Sequence, residues 1–208
     1  NEHIKKLYEE ALAVEDIVGL VIGTRPDCIN NDLLDYFEEL NHRTFLIVEY
    51  GVETCNDATL RLVNRGHDFA WARKAIEETA RRGIRVGAHI ILGLPGEDAE
   101  ESLRQAPIIS SLPLTTLKIH QLQIIRGTRL AKMYAEKPFH LYTVEEYIKL
   151  IADYISLLRP DLVLERFVSQ SPPDLLIAPK WGLKNYEFTH RLHNYMKEKL
   201  NNNAQSDK

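Results

Sequence analysis

Cysteine is nearly absent from this sequence: only Cys28 and Cys55 occur among 208 residues. So widely separated a pair makes neither a local metal clip nor the disulfide framework of a small secreted domain, and each reads first as a small buried hydrophobe. Long apolar runs are missing too. None approaches the roughly 20 residues that cross a bilayer, and no basic start followed by an apolar stretch marks a secretion signal. A water-soluble cytoplasmic chain without a membrane partner is expected. Positive charge is not in excess either: the formal charge is −4 and the pI is about 6.1. Basic residues are scattered among acids, which disfavours nucleic acid binding by this segment. There is also no Ser-His-acid arrangement at recognisable spacing, no phosphate loop with lysine and no paired histidines at zinc-site spacing.

With 44% hydrophobic residues, the chain is long enough for one substantial core. Apolar runs of strand character fall at 17–24, 44–53, 84–94, 115–125 and 161–169. Helical patterns separate them. The opening residues from Asn1 read as helix; 32–40 places Leu33, Leu34, Phe37 and Leu40 on one face, with Asn31 or Asp32 as cap. Segment 68–82 does the same and meets its stop at Gly83; 99–111 opens on acids that suit the helix dipole. Thr143 and Glu146 form a capping-box pair before a helix over 144–159, which stops at Pro160. A last helix is expected over 186–200, with a disordered polar tail from Asn201. Strands alternating with helical crossovers mean parallel pairing, wound into an open sheet or a barrel.

Alternation along the strands separates two faces. Leu46, Val48, Tyr50 and Val52 share one side of 45–53, while Glu49, Gly51 and Glu53 share the other. Strands 85–93 and 115–125 repeat the split, setting Gly87, His89 and Gly93 against the oily Val86, Ala88, Ile90 and Leu92, and Lys118 and His120 against Leu117 and Ile119. The oily faces should pack on helices. Gly23, Gly51, Gly87 and Gly93 would then leave the polar side hollow, with room for a ligand of cofactor size.

Several groups would fringe that space. Glu53 ends its strand, at the edge where parallel α/β folds bind ligands, and its two acceptor oxygens suit the paired hydroxyls of a ribose; the plain alternative is an ion pair with Arg25 or Arg65. Arg65 can fork onto a ligand carboxylate or simply hold its loop. His89 can donate, act as an acid or base, or sit as a satisfied core histidine. Glu49 lies deeper, where a lone charge is costly, and reads as structurally paired. Gly93-Leu94-Pro95-Gly96 offers backbone amides at close approach to a planar ring. Arg25, made extended by Pro26, is aimed inward at the end of the first strand after Thr24, unless this is only a strand-end turn whose Asp27 caps Asn30 or nearby amides.

Taken in order, Gly23-Thr24-Arg25-Pro26-Asp27, Val48 to Thr54, Asn64-Arg65-Gly66-His67 and Gly93-Leu94-Pro95-Gly96-Glu97 resemble the Elp3-like radical S-adenosylmethionine (SAM) family. Leu117-Lys118-Ile119-His120 and Leu176 to Trp181 are similar to an uncharacterised bacterial subfamily of it. The resemblance implies an α/β fold, a partial (β/α) barrel of which residues 1–170 supply roughly strands three to six, with a C-terminal helical extension over 171–208. It implies SAM bound next to a 4Fe-4S cluster, cleaved to a 5′-deoxyadenosyl radical. By position, Glu53 matches a ribose contact, Arg65 a contact to the methionine or ribose end, His89 a cofactor-facing strand residue, and Gly93, Leu94, Pro95 and Gly96 the turn beneath the adenine. Thr24 and Arg25 join them as cofactor-binding candidates.

Two departures stand out. Many relatives carry Gln where Glu53 stands, and the three closely spaced cysteines that ligate the cluster are missing. The resemblance therefore implies a portion of an enzyme, inactive alone, whose partners are the N-terminal part of the same protein, an electron donor and a small-molecule or unknown substrate. Catalytic residues are not assigned, and no metal ligand is. Other readings are a tRNA-modifying Elp3-like enzyme, a non-catalytic α/β nucleoside-binding module, and a barrel hydrolase or aldolase fragment, for which no catalytic lysine or metal set is evident.

Overall fold

A computed structural model describes residues 2–206. Helix α1 (Glu2–Leu12) precedes β1 (Gly19–Thr24), a short 3-10 turn (Pro26–Cys28) and α2 (Asn31–Arg43). The chain continues through β2 (Phe45–Glu53), α3 (Asp57–Leu62), α4 (Phe69–Arg81), β3 (Arg85–Leu92), α5 (Ala99–Ser111) and β4 (Thr116–Gln121). It ends with β5 (Ile124–Ile125), α6 (Arg129–Glu136), α7 (Val144–Ser156), β6 (Val163–Arg166), β7 (Leu176–Ala178) and α8 (Asn185–Ser206).

Five strands form one sheet in the order β1-β2-β3-β4-β6, every neighbouring pair parallel. Each link between neighbours contains a helix, as parallel pairing requires. The oily face is as expected: Leu46, Val48, Tyr50 and Val52 are all fully buried, with Val86, Ala88, Leu117 and Ile119 beside them. Onto them pack Phe37 and Leu40 of α2, Ala72 and Ile76 of α4, Ile109 of α5, Tyr147 and Ile151 of α7, and Phe188 and Leu192 of α8. At about 25 cal/mol per Å² of apolar surface removed from water, this single layer of side chains is the main favourable term holding sheet to helices.

Local signals explain most helix ends. Asn30, one residue ahead of the expected caps, accepts from the Leu33 amide at 3.0 Å. Asp68 and Asp98 accept from the amides of Trp71 and Glu101 in the same way. The Thr143–Glu146 box is formed at both of its hydrogen bonds. The helix behind it ends at Ser156, short of Pro160, because Leu157 and Leu158 turn back onto the carbonyls of Tyr154 and Ile155.

Four expectations need correction. The strand expected over 115–125 breaks after Gln121, and Ile124–Ile125 instead pairs antiparallel with Leu176–Ala178. The strand expected to 169 stops at Arg166, since the Phe167 carbonyl accepts from the Tyr147 hydroxyl and the Ser169 amide donates to the Gln121 side chain. Helices α3 and α6 stand where only loops were expected, capped by Asn56 and Thr128. Finally, the tail expected to be disordered from Asn201 continues α8 as far as Ser206; residues 207–208, like Asn1, lie outside the described residues. Among the described residues no helix is long and apolar enough to cross a membrane.

Candidate functional site

The polar face of the sheet carries a row of charge laid down by strand alternation. Glu49 of β2 is nearly buried, and the Lys118 ammonium of β4 donates to both of its oxygens, at 2.5 and 2.7 Å. His89 Nε2, on the intervening strand β3, lies 2.8 Å from Glu49 Oε2. Lys118 also stands 3.3 Å from Glu165 on β6, so one ammonium links the two carboxylates. Burial acts to raise the Glu49 carboxyl, but its hydrogen bonds to Lys118 and His89 prevail and hold it below the usual range.

Nearer the C-terminal strand ends, Glu53 pairs with Arg65 at 3.0 Å. Arg65 also donates to the Gly51 carbonyl at 2.8 Å and to His67 Nε2 at 3.1 Å, so it stays committed to its own loop. Register between β2 and β3 slips between Gly51 and Glu53, and Glu53 takes φ +67°. A long side chain in the left-handed region is strained by about 1–3 kcal/mol, and such strain persists where its surroundings over-determine it. Burial raises the Glu53 carboxyl, opposed by Arg65, His89 and His67.

His120 of β4 lies beside His89, ring centroids 5.6 Å apart. Arg166 stands with its guanidinium 3.3 Å from His120 Nε2. Because arginine only donates, the neutral ring carries its proton on Nδ1, a buried nitrogen with no hydrogen-bond partner among the described residues. Burial and the cations Arg166 and Lys118 push the imidazole down to about 4, so it is neutral at physiological pH.

Above this row is a cavity of about 440 Å³, within the size range of small-molecule sites. Glu53, Arg65 and His89 line it, with Leu94. The facing wall is His120, Gln121, Gln123, Ser169 and the first turn of α6. Gln121 and Gln123 are fixed there, both donating to the Ser169 carbonyl at 2.9 and 3.1 Å.

The other expected site residues lie elsewhere. Arg25 is exposed and paired with Asp27 against Gly66, not aimed inward, and the Thr24 hydroxyl turns to the neighbouring Arg25 carbonyl. Gly93, Pro95 and Gly96 do not line the cavity; the Gly93 α-carbon faces the Tyr142 ring, and the Gly96 α-carbon faces Leu62. The hollow expected from four glycines is also corrected. Gly23 is open, but a Cβ on Gly51 would meet Arg65 at 2.5 Å and Glu53 at 2.6 Å, and one on Gly87 would meet Thr116 at 2.7 Å and Glu49 at 2.9 Å. Those glycines make room for charged side chains, and the cavity lies beyond them. Glu165, Arg166 and the glutamine wall were missed, and Lys118 was read only as a polar-side residue of its strand; Gln121 has the parity of the oily Leu117 and Ile119, so alternation gives no signal for it.

Neither cysteine belongs to this site. Cys28 is exposed after β1, and Cys55 is half-buried, its thiol pushed up to about 12 by burial and nearby carboxylates. Among the described residues no group of three His, Cys, Asp or Glu side chains could hold a metal. A 4Fe-4S cluster therefore has no ligand set on these residues.

This fold is that of the radical SAM proteins. The radical SAM superfamily model matches residues 1–104, and the Radical_SAM C-terminal domain model matches 114–198; the chain belongs to this superfamily. It is 36% identical over 186 residues to uncharacterized protein YtqA of Bacillus subtilis, covering 89% of this chain and 58% of that protein. It is 28% identical over 207 residues to a tRNA uridine(34) acetyltransferase of Methanocaldococcus infernus, covering 96% of this chain and 38% of that one. Its structure superposes on the archaeal Elp3 of Methanocaldococcus infernus with a TM-score of 0.77 at 25% identity, over 88% of this chain and 42% of that chain. It shares its fold with the radical SAM methyltransferase TsrM of Kitasatospora setae, TM-score 0.59 at 12% identity, over 90% of this chain and 45% of that one. The chain thus spans about three-fifths of YtqA and less than half of the others.

Proposed function

We propose that this chain is the cofactor-side portion of a radical SAM enzyme, and that the cavity between Glu53 and His120 holds SAM. The observation that carries the reading is Glu53 itself: a strained, partly buried carboxylate at a strand bulge, held by Arg65 at the cavity wall. Beside a 4Fe-4S cluster, SAM supplies a 5′-deoxyadenosyl radical. Here Glu53 would accept from the ribose hydroxyls, with Arg65 fixing its direction and offering positive charge to the amino acid end. His89, oriented by Glu49, and the apolar Leu94 would exclude water from the nucleoside.

The cluster ligands and an electron donor lie outside these residues in this reading. Support for a further segment of the same polypeptide comes from β1, which among the described residues pairs with one neighbour and leaves its other edge open. Val21 of β1 and Val18 just ahead of it are 58% and 84% exposed, apolar side chains left uncovered beside that edge.

A test uses the product of the complete reading frame, purified without oxygen. Calorimetric titration with S-adenosylhomocysteine should show saturable binding that Glu53→Ala and Arg65→Ala each weaken about tenfold or more. Undiminished binding in both variants would remove the cavity from the reading. Release of 5′-deoxyadenosine from SAM after reduction tests the chemistry.

The named tRNA uridine(34) acetyltransferases among the relatives favour a second reading, tRNA modification by the whole protein. In that case tRNA would be gripped by other parts, because this chain is net acidic and lacks the basic stripe that phosphate contacts need.

A further inference from the structure

A second cavity, of about 570 Å³, adjoins the first and shares Gln121, Gln123 and Ser169 with it as a common wall. It is enclosed by the stretch between β6 and α8. Its apolar side is built on Trp181 and Phe188, with Leu176 and Val168. The indole is held in place: Nε1 donates to the Tyr142 carbonyl at 3.0 Å, the ring stacks on Phe188 within 8° of parallel, and Tyr147 packs 5.2 Å away. A rigid aromatic anchor loses little entropy when a ligand packs on it.

Charge on this cavity is one-sided. Lys180 and Lys184 line it, both exposed and neither in an ion pair among the described residues, and no carboxylate side chain lines it. In a chain of formal charge −4, two unpaired ammonium groups beside an apolar wall set a local preference opposite to the whole.

We propose that this second cavity is the substrate subsite: it takes a small molecule with a planar apolar body and an anionic end, and presents it to the first cavity across the glutamine wall. The body packs against Trp181 and Leu176, and the anion meets Lys180 and Lys184. Gln123 is locked from both sides, donating to Ser169 and accepting from the Ser171 hydroxyl at 2.7 Å, so the wall stays rigid and the two occupants sit side by side. The role as substrate subsite rests on the first cavity being the SAM site, whereas the preference for an aromatic anion stands without it.

The test uses the product of the complete reading frame and two fluorescent probes, 8-anilinonaphthalene-1-sulfonate and its uncharged relative N-phenyl-1-naphthylamine. Saturable binding of the sulfonate is expected, weakened about tenfold in a Lys180→Glu/Lys184→Glu double variant that leaves the uncharged probe unaffected. Leu183→Trp, which fills the cavity, should weaken both probes. S-adenosylhomocysteine should bind all these variants normally and should not displace the sulfonate. Glu53→Ala and Arg65→Ala, in turn, should leave sulfonate binding unchanged. Sulfonate binding that ignores both sets of cavity substitutions, or that S-adenosylhomocysteine competes away, overturns the proposal. Loss of S-adenosylhomocysteine binding in none of the Glu53 and Arg65 variants instead sinks the reading of the first cavity alone.

Discussion

Lys118 donates to both carboxylate oxygens of Glu49, spanning from β4 to β2 across the strand that carries His89. The partners are not equivalent, because Lys118 has a second carboxylate in Glu165 at 3.3 Å, while Glu49 without Lys118 keeps only His89. Lys118→Met should therefore cost about 3 kcal/mol, the scale for stranding a buried charge, and Glu49→Gln roughly half of that. Urea denaturation of both variants checks the order. Equal losses would mean that Glu165 does not relieve the orphaned ammonium.

Gly51 leaves space that Arg65 and Glu53 occupy, at 2.5 and 2.6 Å from where a Cβ would stand. Gly51→Ala must push that ion pair aside. Both contacts are side-chain ends, so the fold should survive with a loss of about 1 kcal/mol, while S-adenosylhomocysteine affinity in the product of the complete reading frame drops about tenfold. Wild-type affinity in the variant would show that the pair is not held in its binding position by this contact.

Backbone strain at Glu53 separates its effect on stability from its effect on binding. Asparagine tolerates φ +67° far better than glutamate, and relief of about 1 kcal/mol offsets the loss of a partly exposed ion pair worth about as much. Glu53→Asn should keep the wild-type Tm and lose ligand binding. A drop of roughly 2 kcal/mol in stability would identify the carboxylate as structural.

His120 makes stability depend on pH. Its folded value of about 4 lies below the 6.5 of the free side chain, so the unfolded chain takes up the proton first and stability is lost as pH falls from about 6.5 towards 4. The loss is at most about 3 kcal/mol from this group. His120→Gln should flatten the Tm profile in that window; a profile as steep as wild type would place the titration on another histidine.

The two thiols should separate cleanly. Cys28 is exposed, whereas Cys55 is half-buried with its thiol pushed up to about 12 and its amide tied to Gln105 at 2.8 Å. Titration with a chromogenic disulfide at pH 8 should label Cys28 rapidly and Cys55 only on unfolding. Rapid labelling of both would show that the loop after β2 opens.

Much of the sheet was legible because its signal is local. Strand alternation put Glu49, Glu53, His89 and Lys118 on the correct face, and the acids opening 99–111 and the capping box at Thr143 marked real helix starts. What alternation does not contain is distance along the chain. The pairing of Ile124–Ile125 with Leu176–Ala178, the reach of Ser169 back to Gln121, and Arg65 folding over Gly51 all join segments far apart in sequence or turn on side-chain direction. Arg25 failed for a related reason: an aspartate two residues later captured it before it could face the interior. The glycines at 51 and 87 were read as leaving a hollow, and composition could not say that the side chains of Arg65, Glu53, Thr116 and Glu49 fill it.

The free side of β1 is a ladder with half its rungs unused. Among the described residues its amides and carbonyls on that side meet no neighbouring strand, and the side chains of Val18 and Val21 near it are exposed. Concentrating the polypeptide without anything to zip along that margin invites copies to zip onto one another, so a light-scattering signal that grows with concentration is the handling hazard built into this molecule.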